Sequence, residues 1–77
     1  MKYIIVKDDF GTEQPLVSSE ILGHKDMAGH KPVVSAGFCG FNAEGHYVTA
    51  SVWGDSTTLN VKSRPEDAAL LERMLRS

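Results

Sequence analysis

Apolar positions recur with a period of two through most of the chain and change to a helical period only near its end. Tyr3-Ile4-Ile5-Val6 is a short apolar run closed by Lys7, which predicts a first strand over residues 3–7. Asp8-Asp9-Phe10-Gly11 then reads as a turn in which Gly11 supplies a positive φ, and a short second strand is expected around residues 16–18. Ile21, His24 or Lys25, and Ala28 share helical spacing ahead of Gly29 and predict a short helix near residues 20–28, weakened by about 1 kcal/mol at Gly23. Residues 31–41 and 46–53 form the strongest strand pair, joined by Asn42-Ala43-Glu44-Gly45 as a hairpin loop. On the first of these strands Val34, Ala36 and Phe38 oppose Val33, Cys39 and Phe41. On the second, Val48, Ala50 and Val52 oppose Tyr47, Thr49, Ser51 and Trp53. Gly54-Asp55-Ser56 reads as a turn, and Leu59 and Val61 alternate with Asn60 and Lys62 as a last strand.

The period changes after Lys62. Ser63 can serve as N-cap, Pro65 falls in the first turn where a missing N–H costs nothing, and Glu66, three residues after the serine, completes a capping box. Ala68, Leu71 and Leu75 share one face, widened by Leu70 and Met74, and Arg73 and Arg76 close the helix favourably for its dipole. The order predicts an α+β fold: a small, strongly twisted, mostly antiparallel sheet of four to five strands with a C-terminal amphipathic helix packed on one face.

Length makes this one domain over residues 1–77, since a chain this short buries only roughly 60–65% of its unfolded surface and has few side chains to spare for a large cleft. A formal charge of -2 provides no global field for nucleic acid, so a protein partner is favoured over a phosphate backbone. Cys39 is the single cysteine, which excludes an internal disulfide and points to a reducing, cytoplasmic compartment. The opening apolar run is too short for a signal peptide or a membrane span. Gly37 and Gly40 should weaken a plain strand, so they mark a bulge, a bend, or a place where a chain element or ligand approaches the backbone closely.

The segments Val34-Ser35-Ala36-Gly37-Phe38-Cys39, Trp53-Gly54-Asp55-Ser56-Thr57-Thr58-Leu59 and Ser63-Arg64-Pro65-Glu66-Asp67 resemble small uncharacterised proteins carried by phages and prophages of proteobacteria. The resemblance covers roughly positions 1 to 76. It implies a bacterial or phage cytoplasmic setting, where small accessory proteins act on host proteins, and it lends no activity to any position.

Candidate chemistry is sparse. His24, His30, His46 and Cys39 are competent zinc ligands, but they lack a close cysteine or histidine pair and only one thiolate is present, so no metal is expected. Cys39 and His46 could meet across the hairpin as a hydrolase dyad, with Asp55 or Asp9 orienting the imidazole. Against that, Cys39 lies between Phe38 and Gly40 on a central strand, where an inert buried thiol is usual. Phosphate-loop and dinucleotide signatures are absent, and no cofactor is expected. The sheet aromatics could stack bases, yet Lys25, Lys31, Lys62, Arg64, Arg73 and Arg76 form no basic run around them. The expected function is therefore a non-catalytic interaction module with a protein partner or a second copy. Its surface is expected at Phe41, Tyr47 and Trp53, with Asp55 and Arg64 as polar rim.

Overall fold

The computed structural model describes residues 1–19 and 23–76. Eight elements follow in order: β1 (Lys2–Lys7), β2 (Glu13–Ser18), α1 (His24–Ala28), β3 (Val33–Glu44), β4 (Tyr47–Trp53), β5 (Asp55–Ser56), β6 (Val61–Lys62) and α2 (Asp67–Arg76). The first four strands form one antiparallel sheet in the order β2-β1-β3-β4, and β5 and β6 make a separate hairpin. The α+β class and the C-terminal helix on the sheet are as the pattern predicts. Ile21 lies outside the described residues.

β1 is apolar on successive residues because both of its faces are covered. Tyr3 and Ile5 point into a cluster with Cys39 and Leu71 under α2, packed around by Phe41, Ala50, Val52, Leu70 and Met74. Ile4 and Val6 point the other way, into a cluster with Ala28 of α1 and Ala36, closed by Leu59 and Val61 of the small hairpin. Burial of Leu71 alone contributes about 1.5–3 kcal/mol before entropy is counted. Leu75, expected on the packed stripe, is exposed; the packed stripe is the buried Asp67 and Leu71 flanked by the half-buried Leu70 and Met74.

β3 passes from one partner to another. Val33 to Phe38 pair with β1 and Phe38 to Glu44 pair with β4, so Phe38 alone has register partners on both sides, Lys2 and Trp53. Beyond Phe38, β3 and β4 project as a two-stranded wing. The bulge that the glycines suggested lies instead at Val34: Ile5 faces Ser35 while Val6 faces Val33. That extra residue turns Val34 to the α2 side with Cys39 and Phe41, leaving Val33 with Ala36, the reverse of simple alternation.

Three local expectations change for physical reasons. The β3–β4 loop is a two-residue turn, Gly45-His46, with Gly45 at φ 61°, which fits the twist of a tight hairpin; Asn42, Ala43 and Glu44 belong to the strand. The last strand is two residues long and pairs with Asp55–Ser56, outside the main sheet. The expected capping box does not form: only its carboxylate half is present, one residue on, with Asp67 in place of Glu66 bonding back to Arg64. The Asp67 N–H donates to the Arg64 carbonyl at 3.0 Å and the Asp67 Oδ2 accepts from the Arg64 N–H at 3.0 Å, with Pro65 in the turn that leads into α2. Ser63 instead donates its hydroxyl to the Gly54 carbonyl at 2.9 Å.

Candidate functional site

Alternation along β4 sends Ala50 and Val52 under α2 and leaves Tyr47, Thr49, Ser51 and Trp53 on the opposite face. Among the described residues α1 and the β5–β6 hairpin close over Ile4, Val6 and Ala36, and on the wing Tyr47, Thr49, Ser51 and Trp53 are exposed. Tyr47 is 77% exposed and Trp53 51%. Cross-strand neighbours on the same face are Glu44, Asn42, Gly40 and Phe38, which gives a polar middle bracketed by aromatic ends.

Both glycines singled out in the sequence are close-approach sites, and the approaching groups are the protein's own. A Cβ on Gly37 would stand 2.5 Å from the Trp53 carbonyl and 3.1 Å from the Ser63 Cβ, so the strand-to-helix connection lies directly on this backbone. At Gly40 the nearest atoms are those of the Trp53 ring, at 3.5 and 3.6 Å from a built Cβ. The indole thus lies over Gly40, with about half of its surface exposed. Gly54, at φ 78°, lets the chain turn over the Phe38 ring from Trp53 to Asp55.

Two members of the expected surface lie elsewhere. Phe41 pairs with Ala50 and is packed against the core under α2, on the opposite face from Tyr47 and Trp53. Arg64 is committed to the fold. Its Nη2 donates to the Glu13 Oε1 at 2.7 Å and its Nε to the Asp67 Oδ1 at 2.9 Å. The Tyr3 hydroxyl donates to the fully buried Asp67 Oδ2 at 2.6 Å, so a single carboxylate joins β1, the helix cap and, through Arg64, the edge strand β2. Burial and the neighbouring Asp67 charge push the Tyr3 phenol above its usual value, while Arg64 holds the Glu13 carboxyl below its own. The hydrogen bond that Arg64 donates to Glu13 likewise keeps the guanidinium charged. Asp55 is exposed in β5, two residues beyond Trp53.

Cys39 and His46 are not brought together. Cys39 faces Val52 within the core under α2, where burial raises its thiol, whereas His46 sits in the exposed turn at the far end of the wing. Among the described residues no three His, Cys, Asp or Glu side chains gather as a metal site. His24 is buried, its Nε2 donating to the Gly37 carbonyl at 2.7 Å and its ring edge-on to Phe38. It lines a depression of about 330 Å³ with Lys2, Asp55, Ser56, Thr57 and Thr58 beside the Trp53 end of the wing. No helix of the described residues is long and apolar enough to cross a membrane.

Phe10 was not among the expected site residues and is 94% exposed at the β1–β2 turn. Asp8 fixes that turn by accepting from the Phe10 and Thr12 N–H groups, both at 2.9 Å. An aromatic inside an Asp-Asp-Phe-Gly turn was the signal that could have found it. Compared with known proteins, the chain matches no family model, no curated protein and no solved structure, so the resemblance to phage and prophage proteins gains no support there.

Proposed function

We propose that the protein is a small non-catalytic binding module acting in the cytoplasm, and that the outer face of the β3–β4 wing is its contact surface for a protein partner. The observation that carries this reading is the pair of exposed aromatics on one sheet face, with Trp53 lying over Gly40. Trp and Tyr concentrate binding energy because each buries a large rigid surface and offers one hydrogen bond. Asp55 supplies a charged rim beside Trp53. A phage or prophage accessory role toward a host protein belongs to the same reading and rests on the segment resemblance alone. Affinity capture from bacterial extract with wild type and with Trp53→Ala, the variant shown by circular dichroism to be folded, tests it. Loss of a captured protein in the variant is expected. Identical capture by both would remove this surface from consideration, and salt-sensitive nucleic acid as the sole captured species would replace the protein partner with a nucleic acid.

A further inference from the structure

β4 reads alike from either end. About Ala50, the strand Tyr47-Val48-Thr49-Ala50-Ser51-Val52-Trp53 sets hydroxyl against hydroxyl, valine against valine and aromatic against aromatic. Such symmetry is what a twofold contact between antiparallel edges requires, because each residue meets the one equally far on the other side of the axis. A twofold axis also brings every charge near its own copy, and β4 carries no charged side chain to repel itself.

The backbone supports the same centre. β4 is an outer strand of the sheet, and its pairing with β3 runs without a break from Phe38 and Trp53 to Glu44 and Tyr47. The Ala50 N–H donates to the Glu72 Oε1 at 3.1 Å, so it points away from β3. By the alternation of an antiparallel ladder, the amides of Val48 and Val52 point outward as well. The opposite edge differs: β2 carries Pro15, which has no N–H to offer.

We propose that β4 pairs antiparallel with β4 of a second copy about Ala50, and that Glu72 gates this pairing. The proposal rests on the reading of the wing as a binding surface and identifies the partner as a second copy of the chain. In the resulting ladder Ala50 faces Ala50 of the second copy as a hydrogen-bonded pair, with valine facing valine on either side. Tyr47 then faces Trp53 of the second copy, and Thr49 faces Ser51. These last pairs are of the non-hydrogen-bonded kind, in which side chains stand closest, and aromatic and hydroxyl pairs are stabilising there. Glu72 occupies the Ala50 N–H that the second copy's carbonyl must take. Its contact and the dimer therefore exclude each other, and Arg76, with its Nη2 4.0 Å from the Glu72 Oε2, gives the released carboxylate somewhere to rest.

Two measurements on the full chain test this. In sedimentation equilibrium, Glu72→Ala should dimerise at a concentration about a hundredfold lower than wild type, the effect of removing one competing charge-assisted hydrogen bond, about tenfold, from each of the two copies, with Glu72→Gln between them. Under mild oxidation, Thr49→Cys mixed with Ser51→Cys should cross-link, whereas neither variant alone should, because 49 meets 51 and not itself. Monomers throughout at high micromolar concentration, for wild type and both Glu72 variants, would overturn the proposal. So would cross-linking of Thr49→Cys alone as readily as the mixture. Either result alongside a partner captured in a Trp53-dependent way would sink the dimer and leave the binding-module reading intact.

Discussion

β1 and β4 are strands of similar length in the same sheet, and they live in different surroundings. The four residues Tyr3 to Val6 are all buried, whereas β4 alternates half-buried and exposed from end to end. The cause is coverage. Around β1 the sheet lies between α2 on one side and α1 with the β5–β6 hairpin on the other. At β4, among the described residues, α2 covers one face, and its Glu72 reaches the strand's outer edge. One half of the molecule is thus committed to holding itself together, and the other half keeps a face and an edge available.

The sharpest way to break that division is to strike the closed half. Asp67→Ala leaves the buried Tyr3 hydroxyl and part of the Arg64 guanidinium without their acceptor, and should lower stability by about 3–5 kcal/mol in a denaturant melt. A loss no larger than that of a surface substitution would show that the anchor holds nothing. Leu71→Ala should follow at about 2–4 kcal/mol, from lost transfer energy and the cavity left under the sheet. An unmoved midpoint would refute the packing of α2.

The two glycines sharpen the boundary between the halves. An added methyl at Gly37 meets the Trp53 carbonyl at 2.5 Å, so Gly37→Ala should cost about 1–3 kcal/mol. Gly40→Ala places its methyl at ordinary contact distance from the indole and should change stability by less than about 0.5 kcal/mol. Equal thermal melts for the two variants would erase the distinction. The smallest effect concerns acid. The Glu13 carboxyl is held low by Arg64, so its contribution is complete above its ordinary value of 4.5 and is lost as the pH falls below that value through its folded one. Glu13→Gln should lower stability slightly at neutral pH, where the ionised Glu13 contributes in full, and flatten the profile in that window, so that the two proteins converge at low pH. An unaltered acid limb would dissociate Glu13 from the anchor.

Much of this division was visible in the chain itself. The alternation of Tyr47 to Trp53 and the helical spacing of Leu70, Leu71 and Met74 report the environment each side chain meets, and both elements formed where the pattern placed them. What escaped depended on distant partners. Ser63-x-x-Glu66 reads as a capping box, whereas the carboxylate that bonds back at the helix start is Asp67, which also takes the hydroxyl of Tyr3, 64 residues away in the chain. The extra residue at Val34 leaves no local trace, yet it reverses the faces of the residues around it. Phe41 was grouped with Tyr47 and Trp53 as one aromatic set, whereas the pairing of Phe41 with Ala50 turns it to the core. Two-residue strands such as β5 and β6 are too short to show any period.

The bond between Tyr3 and Asp67 also sets a condition on how the chain reaches its fold. The apolar run of β1 precedes by 64 residues the carboxylate that satisfies its tyrosine, and the leucines that cover one side of it come later still in the chain. Long-range closures of this kind slow folding, since the entropy of joining distant segments must be met before their contacts form. Until Asp67 and Leu71 dock, one side of β1 is bare, and a partly folded chain of this kind is prone to associate through that side.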